Sequence, residues 1–182
     1  LDSTSVNGRF TAETPLTMSA SLYCYQPHPD SPPVNDLPVI RNGYLTFSSF
    51  NNIVKVSSPI LALWGKILNR VSGARLIVKA NLLHDRVARQ HLEARFAKHG
   101  IASDRLILED YAPPPAYLES YHQVDLGLDS YPVNGGTTTC EALWMGVPVV
   151  TLVGERHMSR VGLSILSTVG LTELIAYSAE DY

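Results

Sequence analysis

The sequence predicts an α/β domain, a parallel β-sheet covered by helices on both faces. Three observations point there. Short apolar segments alternate with segments of helical period along most of the chain. Glycine follows four of the helical segments, at Gly73, Gly100, Gly146 and Gly170, the residue type that a helix C-terminus favours. The 182 residues, 45% hydrophobic and 17% charged, suffice for one domain with its own core.

The elements follow in order. Residues 1–40 read as an extended, proline-rich linker and the tail of a preceding domain. Gln26-Pro27-His28-Pro29-Asp30-Ser31-Pro32-Pro33 cannot continue a helix or a central strand, because proline removes amide donors and fixes φ. The apolar stretch Ala20 to Tyr25 before it is expected as a strand. Residues 41–182 read as the α/β lobe. Tyr44 to Ser48 is a strand. Ser58 and Pro59 open a helix, a hydroxyl cap followed by proline in the first turn. Ile60, Leu63, Trp64, Ile67, Leu68 and Val71 give it an apolar stripe. Arg75 to Lys79 is a strand, and His84 to His99 a polar helix with a thinner stripe through Val87, Leu92 and Phe96. Leu106 to Leu108 and Val124 to Leu128 are strands flanking a short helix over Pro115 to His122. Thr138 to Met145 is a helix, Val147 to Leu152 a strand, Ser159 to Val169 a helix, and Leu174 to Tyr177 a last strand.

Composition excludes several classes. Fourteen Lys and Arg against seventeen Asp and Glu leave a net charge of −3, which gives no reason to expect nucleic acid or an anionic membrane as partner. No apolar run approaches the ~20 residues of a membrane span, and no signal segment opens the chain. Cys24 and Cys140 are too few for a disulfide framework and read as small buried apolar residues, consistent with a reducing, cytoplasmic setting. The opening at Leu1 rather than Met, and the end at Tyr182 inside a polar run, predict a piece of a longer protein.

Ligands of such a sheet bind at the carboxyl ends of the strands. The richest loop there runs from Asp129 to Glu141. Gly135 and Gly136 allow close approach to the main chain. Thr137, Thr138 and Thr139 place hydroxyls at a helix N-terminus, where unpaired amides and the helix dipole favour a phosphate. Glu141 shares a face with Thr137 and Thr138 and has the chemistry to accept from ribose hydroxyls. The same pattern also suits a plain glycine turn with a threonine cap, and spacing alone does not separate the two. Lys55, in the loop after the first strand, is placed to reach a phosphate in that crevice, or to be a solvated surface lysine. Tyr117, after the rigid run Pro113-Pro114-Pro115, is a candidate for stacking on a base, with backbone near Ala112 to read the base edge; local packing is the alternative. No Asp-x-Asp motif is present; Asp125 and Asp129, four apart on an expected strand, would share a face, but Asp125 sits early and suits a structural role. Stabilisation of a leaving diphosphate then falls to Lys55 and the helix N-terminus, with no metal and no cofactor.

Phe50-Asn51-Asn52 with Lys55, and the run Asn134 to Thr151 (NGGTTTCEALWMGVPVVT), resemble the O-linked N-acetylglucosamine transferase family, most closely its bacterial, tetratricopeptide-bearing members. Gly154-Glu155-Arg156 and Ser159-Arg160-Val161 extend the resemblance to residues 41–177. It implies a Rossmann-like lobe, one of the two facing lobes of a GT-B glycosyltransferase, that binds UDP-N-acetylglucosamine for inverting transfer to protein Ser or Thr. By the same resemblance, Lys55 is catalytic, meeting the charge on departing UDP. Asn52 lies near the phosphates, Thr137 and Thr138 with the helix amides bind the β-phosphate, Glu141 the ribose, Ala112 the uracil, and Tyr117 stands beside the base. Tyr117 replaces a histidine of many members, and Gly136 a histidine of the animal enzymes. The implied partners are an acceptor protein, an N-terminal catalytic lobe and tetratricopeptide repeats. Without that lobe the piece itself is expected to be inactive. The alternatives are transfer to an asparagine or a glycan, and a nucleotide-binding module without turnover.

Overall fold

The structure, a computed structural model, describes residues 21–81 and 83–182. Six strands form one sheet: β1 (Thr46–Ser49), β2 (Arg75–Ala80), β3 (Leu106–Asp110), β4 (Leu126–Leu128), β5 (Val149–Leu152) and β6 (Ile175–Ala176). Their order is β3-β2-β1-β4-β5-β6, and every pairing is parallel. β1 is central: Phe47 stands opposite Leu76 on one side and Leu126 on the other. This is the order of a Rossmann-like doubly wound sheet, the fold class the sequence predicts.

Strand alternation divides the core between two faces. Leu76 and Val78 of β2 pack under α2 (Ser58–Arg70) and α3 (Arg86–Ala97), with Ile60, Trp64, Leu92 and Phe96. Ile77, between them, joins the opposite cluster with Tyr117, Tyr121, Met145 and Val149. That face carries α4 (Ala116–Glu119) and α5 (Thr137–Trp144). Against α5, at Cys140, packs α6 (Val161–Val169) through Val161 and Ile165; it meets β6 through Leu166 and Ile175.

Local details differ from the sequence expectation. Ser57, not Ser58, precedes α2, and its hydroxyl donates to Tyr131 O at 2.6 Å instead of capping the helix. Asp85 caps α3 by accepting from Ala88 N at 2.8 Å. Val87, expected on the stripe of α3, is 72% exposed, because Leu92 and Phe96 alone make its core contact. Cys140 is buried as expected, whereas Cys24 is exposed.

Residues 21–37 form neither helix nor strand, so the strand expected over Ala20 to Tyr25 does not form at 21–25. Ala20 itself, and whatever was expected of residues 1–20, lie outside the described residues. Helix α1 (Pro38–Asn42) falls at the end of the stretch read as linker. Proline disrupts a helix interior but suits its first position, and Pro38 occupies that position. The 21–37 segment is fastened to the lobe. Asn35 Nδ2 donates to His122 O at 3.0 Å, and His122 Nε2 lies 2.8 Å from Pro33 O. Asp125 has the structural role its position suggested: Oδ1 accepts from Val39 N at 2.8 Å and Oδ2 from Thr46 N at 2.9 Å. Among the described residues, no helix is long and apolar enough to cross a membrane.

Candidate functional site

The strand order reverses between β1 and β4, which leaves a crevice at their carboxyl ends. Three loops border it: 50–57 after β1, 111–115 after β3, and 129–136 between β4 and α5.

The β4–α5 loop is organised by Asp129, which is 1% exposed. Its Oδ1 accepts from Gly135 N at 2.7 Å and Ser130 N at 2.8 Å, and its Oδ2 from Thr151 Oγ1 at 2.7 Å. Asn51, from the β1 loop, donates to the same Oδ1 at 3.4 Å and accepts from Thr138 Oγ1 at 3.0 Å. Asn134 donates through Nδ2 to Ser130 O at 3.0 Å and through its amide to Met158 O at 2.9 Å. Residue 135 must be glycine, since a Cβ there would stand 2.6 Å from Thr139 Oγ1 and 2.7 Å from Thr138 Oγ1. These clamps fix the N-terminus of α5 at the crevice, where first-turn amides lack helical partners and the dipole is positive. Lys55 closes a short 3-10 turn (Ile53–Lys55), and its Nζ donates to Asn134 O at 3.2 Å. The ammonium therefore rests on the loop that leads into α5. Burial pushes the Asp129 carboxyl up to about 6, although its amide and hydroxyl donors and the Lys55 charge pull the other way.

Glu141 lies one turn into α5, half-buried. Burial raises its carboxyl, and a hydrogen bond from the Tyr117 hydroxyl lowers it. Tyr117 is 6% exposed, with Phe50 and Tyr121 at ring-centroid distances of 5.9 Å and Tyr111 at 5.6 Å. Its phenol is pushed far up by burial and then by the Glu141 charge. Tyr121 completes the cluster by donating to Thr138 O at 3.1 Å.

Lys55, Gly135, Gly136, Thr137, Thr138 and Glu141 thus converge on one helix end. Asn52 does not join them. It is exposed, and its Oδ1 accepts from Val54 N at 3.1 Å, capping the Ile53–Lys55 turn. Its neighbour Asn51 makes the contact to α5. Tyr117 is not the open stacking platform expected, because its ring is packed among three aromatic rings; Tyr111, 52% exposed, is the accessible ring of that loop. Ala112 is half-buried between β3 and α4. The central role of Asp129 escaped the sequence reading, which weighed it only against Asp125. An acid at a strand's carboxyl end, directly before a Gly-Gly loop, is the signal that pointed to it. Among the described residues, no group of three or more His, Cys, Asp or Glu is placed to hold a metal ion.

The comparisons with known proteins converge on one family. Residues 37–182 match the family model described as glycosyl transferase family 41. A protein of Eustoma exaltatum subsp. russellianum named "Probable UDP-N-acetylglucosamine--peptide N-acetylglucosaminyltransferase SPINDLY" is 40% identical over 92% of this chain and 18% of its own length. A Caenorhabditis elegans UDP-N-acetylglucosamine–peptide N-acetylglucosaminyltransferase is 29% identical over 76% of this chain and 12% of its own. A solved structure of a mutant Thermobaculum terrenum O-GlcNAc transferase superposes with a TM-score of 0.80 at 38% identity, covering 86% of this chain and 29% of that one. The chain spans less than a fifth of the length of the curated relatives it matches. It belongs to glycosyl transferase family 41.

Proposed function

We propose that this chain is the donor-binding lobe of a protein O-glycosyltransferase of the GT-B type. It holds UDP-N-acetylglucosamine for inverting transfer to a Ser or Thr hydroxyl of an acceptor protein. The observation that carries the reading is Lys55 Nζ lying on Asn134 O at the entrance to α5, so that a cation and a helix N-terminus face one crevice. The names of the family relatives supply the donor and the acceptor class.

In this mechanism the acceptor oxygen attacks the anomeric carbon while the bond from that carbon to the diphosphate breaks. The electron pair leaves with the β-phosphate, and the hydroxyl proton passes to a base on the facing lobe. Lys55 and the first-turn amides of α5 meet the charge that grows on the leaving group. Gly135, its amide held by Asp129, lets the loop close on Thr138 and Thr139, and the phosphate sits at the first turn of α5 beside Gly136 and the solvent-facing Thr137. Glu141, oriented by Tyr117, accepts from the ribose, while the 111–115 loop with Ala112 borders the base. The reading includes metal-independent binding, a cytoplasmic location, and a full-length protein of the bacterial type with a first lobe and tetratricopeptide repeats.

The test is Lys55→Ala in the full-length protein. Turnover falls about 10²–10³-fold, the loss typical of one transition-state charge donor, while the dissociation constant of UDP changes far less. Titration with UDP, with and without a divalent ion, is expected to give the same affinity. Normal turnover by Lys55→Ala overturns the assignment.

A further inference from the structure

The segment ahead of the family match, residues 21–36, runs alongside α5, with Tyr23 against Gly136 at its start and Val34 against Gly146 beyond its end. Its two tyrosine rings are held in place: Tyr23 and Tyr25 pack on Cys140 and Leu143 of α5 and on Val161 and Ile165 of α6. Tyr23 comes closest to the crevice. Gly136 is the residue at the N-terminal cap of α5, and a Cβ built there would lie 1.8 Å from the Tyr23 hydroxyl oxygen and 2.3 Å from its Cζ. The phenol therefore fills the space that any side chain at residue 136 would take. Tyr25 stands further along the same helix, near enough to Glu141 that the carboxylate charge helps raise its phenol, after burial itself. The segment thus sets one phenol at the phosphate end of α5 and the other beside the acidic residue one turn on.

Resting on the donor-site reading above, we infer that Tyr23 is a donor-binding residue: its hydroxyl, standing in for the missing side chain of Gly136, donates to the β-phosphate of the bound nucleoside diphosphate. A phenol suits this place. Its hydroxyl supplies a hydrogen-bond donor without adding a charge. Its ring is fixed by packing on α5 and α6, so little freedom is lost when the ligand arrives. The segment 21–25 then forms the outer wall of the donor site, and its inclusion is needed for full affinity.

The test is calorimetric titration of the full 182-residue chain with UDP and with UMP. The wild type is compared with Tyr23→Phe, Gly136→Ala and a Tyr23→Ala/Gly136→Ala double variant, each checked for an unchanged thermal transition. Tyr23→Phe is expected to weaken UDP about tenfold, the loss of one hydrogen bond to a charged group, and to leave UMP unchanged. Gly136→Ala, which displaces the phenol, gives a similar loss, and the double variant is no weaker than either change alone. Wild-type affinity in Tyr23→Phe, tighter binding, or an equal loss for UMP and UDP overturns the inference while leaving the donor site intact. Failure of the wild-type chain to bind UDP overturns the donor-site reading and this inference with it.

Discussion

The α2–α3 face of the sheet and the β4–α5 loop are built from opposite materials. Under α2 and α3 the buried side chains are apolar: Phe47, Ile60, Leu61, Trp64, Leu76, Val78 and Phe96 among them. In and around the loop, the buried set includes Asp129, Ser130, Asn134, Thr139 and Thr151. Apolar burial is non-directional, and a core tolerates exchanges that conserve volume. Buried polar groups tolerate little, since each donor and acceptor needs its own partner. The first region therefore holds the lobe together, and the second spends stability to hold one geometry. They meet at Tyr182, whose hydroxyl accepts from Trp64 Nε1 at 3.0 Å and donates to Asp129 O at 3.0 Å.

The largest effect expected from this contrast is on the apolar side. Trp64 is fully buried and stacks at 6.4 Å on Phe96. Trp64→Ala is expected to lower stability by ~3–5 kcal/mol, through lost burial and the cavity left behind. Urea denaturation measures the loss. The fraction that remains folded is expected to bind UDP within about twofold of wild type, because Trp64 reaches the loop only through the Tyr182 hydroxyl, which keeps its own bond to Asp129 O. A fall in intrinsic affinity as large as the fall in stability would break the division of labour, with Tyr182 as the route of coupling.

On the polar side the expected effect is smaller and depends on pH. The Asp129 carboxyl is raised from 3.8 to about 6 in the folded chain. Between those values the folded state holds more protons than the unfolded one. This contribution to stability is thus full below pH ~4, is lost as pH rises to ~6, and is level above that. The amplitude is on the order of 3 kcal/mol for a shift of this size. Asp129→Asn keeps an acceptor for Gly135 N and Ser130 N but cannot titrate. The stability of wild type minus variant, taken by urea denaturation from pH 4 to 7, is expected to decline across that window. A flat difference would show that the carboxylate is ionised without cost, with Lys55 and the amides fully offsetting its burial.

The same contrast explains what could be read from the sequence. The apolar half was legible because period alone marks it: Ile60, Trp64 and Leu68 recur on one side of α2, and Leu76, Ile77 and Val78 alternate across β2. The loop reads as a candidate phosphate site because glycines, threonines and a helix start have a mechanism in common, and the structure places them at one helix end. Which asparagine turns inward was not legible. Asn51 and Asn52 are adjacent and chemically identical, and only the turn Ile53–Lys55 decides that Asn52 becomes its cap. The stacking face expected of Tyr117 failed for a related reason. Tyr111 and Tyr121 are its neighbours in the chain, but Phe50 comes from the loop after β1, and only tertiary packing brings that ring onto Tyr117 and closes the cluster. Residues 21–25 read as a strand because they are apolar, but no strand forms there, and their tyrosines are placed by tertiary packing on α5 and α6.

The smallest expected effect separates ring from hydroxyl at Tyr117, where the two kinds of material touch. Its ring belongs to an aromatic cluster, while its hydroxyl donates to Glu141. Tyr117→Phe keeps the ring and removes the donor, so stability is expected to change by ~1 kcal/mol or less. The Glu141 carboxyl loses the one hydrogen bond that lowers it and moves further up, which carboxyl-labelled NMR reads directly. UDP affinity falls about fivefold, by ~1 kcal/mol, because Glu141 is no longer aimed. In a Glu141→Gln background the same change costs less, since the charge that Tyr117 served is already gone. An equal loss in both backgrounds would mean that Tyr117 acts through its ring, and that the site is shaped there by packing and not by a hydrogen bond.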